Sequence, residues 1–183
     1  VWSPRPISEA FLKMQDAELQ IQREDKGIVE ISDITPQTSD IRLWQGDITR
    51  LKVEAIVNAA NAQALGCWAP LHNCIDNCIH SAAGIQLRKE CADKMQGRLL
   101  ATGDAFITQG YNLPARYVIH TVGPIIPDGV PTKEQEEQLA QCYRSCLDLA
   151  EQNGLESIAF CCISTGVFHF PNELAAKIAI DTV

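Results

Sequence analysis

No apolar run in the sequence approaches the roughly 20 residues that a membrane-spanning helix needs, so no membrane partner is expected. Basic residues are scarce as well. Fifteen Lys and Arg stand against 23 Asp and Glu, a formal net charge of −8. A broad grip on a nucleic-acid backbone draws on clusters of Lys and Arg, so a nucleic-acid polymer is not an expected partner. An anionic small ligand stays open, provided that backbone N–H groups hold it. The chain has no internal repeats and no low-complexity tracts, and its first residues lack the basic, apolar, small-residue order of a secretory signal. A cytoplasmic, soluble monomer is the expectation, although a first residue of Val leaves targeting open.

What is present is ordinary globular material: 183 residues, 46% apolar and 21% charged. That length suits one domain with a terminal extension, and it buries a sizeable core without staples. Metal is therefore not needed merely to fold the chain. The eight cysteines are clustered, sit beside histidines and occur in helix-like and strand-like segments, which fits a reducing compartment better than a disulfide framework.

Residues 1–40 read as an N-terminal helical extension and linker. In "SEAFLKMQDAELQIQRE", Ala10, Phe11, Met14, Leu19 and Ile21 fall near one stripe of a helix that Ser8 caps and Lys26-Gly27 ends. "VEISDITPQTSD" is polar and proline-punctuated, hence a linker. From residue 41 the pattern predicts five strands, at "IRLW", "AIVNAA", "AFITQG", "YVIHTVG" and "SIAFCCIS", with helices near 75–96, 133–152 and 172–182. The expected fold class is α/β: a three-layer α/β/α sandwich with a mixed, mostly parallel sheet covered on both faces. Ligands of such sheets bind beyond the carboxyl ends of the strands.

The chemistry-bearing segments fall at such ends. "QGDIT" (45–49) carries an Asp in a glycine-containing turn, and "NAAN" (58–61) two amides, each of which alone is most simply turn chemistry. "STGVF" (164–168) is a small-residue loop able to bring successive N–H groups against phosphate oxygens. "GCWAPLHNCIDNCIH" (66–80) packs three cysteines and two histidines into fifteen positions. Two thiolates and one imidazole, from Cys67, His72 and Cys74, suit Zn²⁺, and three protein ligands leave a fourth position open for water or substrate. Cys78 as a fourth ligand would make the site structural. Cys91, Cys142, Cys146, Cys161 and Cys162 read as small buried hydrophobes, and His80 and His120 as satisfied buried histidines.

Taken together, "GDIT", "NAAN", "CIDNCIHSAAG", "YVIHTVGP" and "STGVFHFP" resemble the macrodomain family over residues 41–183. The resemblance implies ADP-ribose binding: Asp47 accepting from the adenine amino group, Ile48 offering backbone nearby, Asn61 at the distal ribose, Ser164, Thr165, Gly166 and Val167 cradling the diphosphate and Phe168 packing beside the ribose. It also implies a further C-terminal strand and helix. Two departures stand out. The usual glycine run after "NAAN" is replaced by "GCWAPLHNC", which keeps only Gly66, and His169 occupies a place where glycine is usual. The replacement resembles a zinc-containing subgroup that removes ADP-ribose from proteins. That resemblance implies a zinc-dependent hydrolase acting on mono-ADP-ribosylated protein, with Asn61 and Asp76 completing the catalytic geometry. Asp76 has a structural reading too, as an acidic residue in a first helical turn. Trp68 shields the ion on one reading and merely packs on another. A non-catalytic ADP-ribose-binding module and an O-acetyl-ADP-ribose deacetylase are the alternatives.

Overall fold

The computed structural model describes residues 5–38 and 40–183; residues 1–4 and 39, which belong to the expected extension and linker, lie outside it. Three parallel or antiparallel pairings build the main sheet. β3 (Ala55–Ala59) pairs in parallel with β5 (Tyr117–Thr121) on one side and with the short β6 (Ile158–Ala159) on the other, and β4 (Ala105–Gln109) closes the edge antiparallel to β5. Helices α2 (Ile75–Ala83) and α3 (Ile85–Met95) cover one face, and α4 (Lys133–Gln152) and α5 (Asn172–Thr182) cover the other. The result is the α/β/α sandwich with a mixed sheet.

Strand periodicity assigns side chains to the two faces. Ala55, Val57 and Ile119 pack with Leu139, Cys142, Tyr143 and Cys146 of α4, whereas Ile56 and Val118 pack with Ile79, Ala83, Leu87 and Cys91 of α2 and α3. Because β3, β5 and β6 run parallel, their carboxyl ends and the loops 60–74, 122–132 and 160–171 gather at one edge of the sandwich.

Several expectations need correction. "IRLW" forms no strand; Arg42 makes one isolated bridge to Pro36, Ile41 and Leu43 are exposed, and only Trp44 packs against the core, so the segment does not extend the sheet. The helix expected near 75–96 is two helices, broken at Gly84, whose φ of 98° favours glycine. A Cβ there would lie 2.7 Å from Gln15 Nε2 and 2.8 Å from Gln86 Oε1, so this glycine also lets another helix cross closely. Part of the presumed linker forms β1 (Val29–Glu30), parallel to β2 (Leu51–Lys52). The fifth strand is shortened to two residues, and beyond it Cys162 is exposed rather than core filling, because the chain has left the sheet. Cys91, Cys142 and Cys146 are buried as expected.

Helix α1 (Glu9–Lys26) begins where Ser8 Oγ accepts from Phe11 N at 3.2 Å and ends at Gly27 with φ 76°. Most of its apolar stripe, however, faces away from the domain: Phe11, Met14 and Ile21 are exposed, and only Leu19 turns inward, where it is half-buried. The docking face is polar. Gln15 Nε2 donates to Gln86 Oε1 at 2.6 Å, Gln15 Oε1 accepts from Ile85 N at 3.0 Å, and Asp16 Oδ1 accepts from Asn112 Nδ2 and Gln86 Nε2, each at 2.8 Å. Among the described residues no helix is long and apolar enough to cross a membrane.

Candidate active site

The loop that follows β3 is organised by Asn61. Its Oδ1 accepts from the amides of Gln63 and Ala64 at 3.0 and 3.2 Å, which is the turn chemistry expected of Asn at a strand end. The same side chain also reaches across the site: Nδ2 donates to Gly66 O at 3.2 Å and to Asp76 Oδ2 at 3.4 Å. Gly66, with φ 81°, is required by space as well as by conformation, since a Cβ would lie 2.9 Å from the His80 ring. Without that close approach the loop could not cross over α2.

Immediately beyond Gly66 the structure brings the three expected ligands together. One donor atom from each of Cys67, His72 and Cys74 lies within 4.8 Å of the others, and Cys67 Sγ is 3.5 Å from His72 Nδ1. For Zn–S of about 2.3 Å and Zn–N of about 2.0 Å at a tetrahedral angle, two such donors stand about 3.5 Å apart, so the set fits zinc. Cys74 is also the N-cap of α2, where its Sγ accepts from Asn77 N at 3.4 Å, and Asn77 Nδ2 holds His72 O at 2.9 Å. Burial raises the Cys74 thiol above its usual range, and the neighbouring Cys67 thiol adds to that shift. Cys78 does not join the set; its Sγ faces Asn73 Oδ1 at 3.6 Å.

Behind this loop runs a buried polar chain. Asn58 of β3 lies opposite His120 of β5 in the parallel register. Asn58 Nδ2 donates to Asp76 Oδ1 at 2.8 Å and approaches His120 Nδ1 at 3.1 Å, while His120 Nε2 is 2.9 Å from Thr108 Oγ1, whose hydroxyl donates to Val118 O at 3.3 Å. With the amide donating to Nδ1, the ring proton sits on Nε2 and the bonds from Asn58 through His120 and Thr108 to Val118 O run one way, while Asn58 donates outward to Asp76 on its other side. Burial pushes Asp76 up to about 6 against the opposing pull of the Asn58 hydrogen bond and the Arg88 charge. His120 is held well below the usual histidine range by burial, and then by the neighbouring His80 and Lys94 charges. His80 departs from expectation: it is buried, yet among the described residues neither ring nitrogen has a hydrogen-bond partner. Burial, reinforced by the Arg88 charge, lowers it to about 3, so its 3.6 Å approach to Asp76 Oδ1 is not an ion pair near neutral pH.

Asp47 caps a 3-10 turn, Ile48–Arg50, accepting from Thr49 N at 2.9 Å and Thr49 Oγ1 at 2.7 Å, with Lys26 Nζ of α1 3.6 Å from Oδ2. Burial works to raise its pKa, but the Thr49 bonds and Lys26 outweigh it and the net shift is downward. Ile48 is buried beside it. Asp47 and His72 line one cavity of about 430 Å³, with Arg23, Lys26, Arg50 and Asn77. Ser164–Phe168 do not line it. That loop stands apart, next to Gly123 and Ile126. Within it, Ser164 has φ 63° and a buried Oγ without a partner among the described residues, and the amides of Gly166, Val167 and Phe168 donate to no group of the described residues, leaving them available to an anion. His169 is exposed and adopts φ 58°, the left-handed conformation that glycine takes most easily.

Sequence reasoning missed Asn58 as the support of Asp76, and it missed Arg88. Asn58 had a signal: it is a polar residue inside an apolar strand, in register with a histidine. Arg88 had none, because its contacts lie 21 residues away in the metal-set loop.

A family profile, Macro domain, matches residues 57–179. A protein of Treponema medium named "Protein-ADP-ribose hydrolase" is 54% identical over 186 residues, covering 98% of this chain and 71% of that one. The Trypanosoma brucei macrodomain in complex with ADP-ribose superposes with a TM-score of 0.77 at 36% identity, covering 97% of this chain and 78% of that chain. The Oceanobacillus iheyensis macrodomain with ADP gives a TM-score of 0.66 at 45% identity, covering 75% and 70%.

Proposed function

The chain belongs to the macrodomain family, and from that premise we propose that it binds ADP-ribose and hydrolyses the bond between the distal ribose and a modified protein side chain, in a zinc-dependent manner. The carrying observation is that the metal set and the Asn61–Asp76 pair form one unit. Asn61 holds Gly66, the residue before Cys67, and Asp76, the second residue of the helix that Cys74 caps. Net hydrolysis forms a bond from water oxygen to the anomeric carbon, breaks the bond from that carbon to the side chain, and returns the water's proton to the leaving atom.

In this reading Asn61 lies beside the distal ribose and fixes the loop and Asp76 there, and Asp76, held by Asn58 and Asn61, orients the attacking water or takes its proton. Cys67, His72 and Cys74 would hold zinc, which when bound supplies a Lewis-acid centre with a position left for oxygen, tempered by two thiolates. The free amides of Gly166, Val167 and Phe168 would carry the diphosphate, and Asp47 and Ile48 the adenine. Peptide dipoles thereby hold an anion despite the chain's negative charge.

His72→Ala tests this reading. Calorimetry is expected to find ADP-ribose binding retained, while release of ADP-ribose from a mono-ADP-ribosylated protein falls ~10²-fold or more, the scale of a lost positioning group. Unchanged release would refute the zinc mechanism. Binding without release by the wild-type protein would favour a recognition module.

A further inference from the structure

We propose that Arg88 is a positioning residue that presets the Cys67 side of the metal set, an inference that rests on the zinc reading above. The three ligands are anchored unequally. Cys74 is fixed by its place at the start of α2, and His72 by the Asn77 bond to its carbonyl. Cys67 sits at the other end of a loop with almost no core of its own: Leu71 within it is 98% exposed and in the left-handed region at φ 58°.

Asn61 holds the preceding carbonyl, Gly66 O, and Arg88 supplies the anchor at Cys67 itself from α3, which is pinned by the fully buried Leu87 and Cys91. One terminal nitrogen donates to the Cys67 carbonyl at 3.3 Å, and the guanidinium lies 4.3 Å from the centroid of the Trp68 ring. It therefore grips the backbone of one ligand and the side chain of the next residue at once. A planar, forked cation does both, whereas a lysine ammonium reaches one carbonyl but cannot stack in the same way. Among the described residues Arg88 makes no ion pair with a carboxylate, so its charge is not spent on a surface partner. Trp68 thus receives a role distinct from either shielding an ion or packing alone: it is the plate on which Arg88 clamps the loop, with its own Nε1 donating to Gln63 Oε1 at 3.2 Å.

A group that orients a ligand from behind typically changes metal affinity by ~10–100-fold when removed. The test is the zinc dissociation constant, measured by competition with a chromogenic chelator, for the wild-type chain, Arg88→Ala, Arg88→Lys and Trp68→Leu. Arg88→Ala is expected to weaken zinc by ~10–100-fold, with Arg88→Lys and Trp68→Leu falling between it and wild type. In the metal-free proteins, Cys67 should react faster with an alkylating agent in Arg88→Ala than in wild type, while Cys74 should not. Zinc affinity within twofold of wild type for both Arg88→Ala and Trp68→Leu would overturn the proposal. If Arg88→Ala does not fold, Trp68→Leu, which leaves α3 untouched, decides the matter by the same criterion. Failure of the wild-type chain to bind zinc would instead refute the zinc reading itself, so the two failures are distinguishable.

Discussion

On one face of the sheet, Val57 and Ile119 meet Leu139, Cys142 and Cys146 of α4, all fully buried and apolar. On the other face, the neighbouring residues of the same strands, Asn58 and His120, meet Asp76 and His80 of α2. The period of two lets one strand serve a dry core and a polar chain together. Of the four buried polar atoms without a partner among the described residues, three, Asn58 Oδ1 and both His80 nitrogens, lie on the second face. An unsatisfied buried group costs about 1–3 kcal/mol, so that face gives up stability where it supports the loop carrying Cys67, His72 and Cys74. The α4 face supplies stability in return.

This contrast can be broken from either side. The largest expected effect is Leu139→Ala, which removes a fully buried side chain from the apolar face and should cost about 2–5 kcal/mol in chemical denaturation while leaving zinc affinity of the folded protein unchanged. A parallel loss of zinc affinity would mean that the two faces are not separable. Next comes His80→Leu on the polar face. Removing two orphaned nitrogens should raise stability by about 1–2 kcal/mol, whereas a loss of stability would show that the ring has a partner in solution.

The smallest effect concerns α1, which is docked chiefly by polar groups. Burial works to raise the Asp16 pKa, but the bonds from Asn112, Gln86 and Gln15 prevail and lower it. A carboxyl whose folded value lies below its unfolded one contributes stability above the unfolded value, and that contribution disappears as pH falls through the folded value. Hydrogen exchange should therefore show α1 losing protection at pH values below the ordinary carboxylate range before β3 and β5 do, and Asp16→Asn should flatten this dependence. Equal loss in α1 and the strands would contradict it.

The same contrast explains how much of the molecule was legible in the sequence. Ala55–Ala59 and Tyr117–Thr121 announce themselves because strands covered on both faces need near-continuous apolar runs, and the Cys67, His72 and Cys74 cluster is readable because its spacing is local. Ser8 as a helix cap is equally local. The orientation of α1 was not legible. Periodicity weighs Phe11, Met14 and Ile21, whereas the docking energy comes from Gln15 and Asp16, whose partners Gln86 and Asn112 are brought near only by the fold. "IRLW" forms no strand for a related reason: a short apolar run becomes a strand only if most of it is covered, and Ile41 and Leu43 are exposed. Arg88 belongs to the same class, since a cation on a helix surface gains meaning only when a loop 21 residues earlier folds against it.

The central claim is that Cys67, His72 and Cys74 hold one zinc ion that hydrolysis requires. The most direct measurement is zinc content and ADP-ribose release from a mono-ADP-ribosylated protein, taken on one preparation as purified, after chelation and after zinc is restored. The account predicts close to one zinc per chain, loss of release on chelation and its recovery on restoration; full release by the zinc-free protein would contradict it.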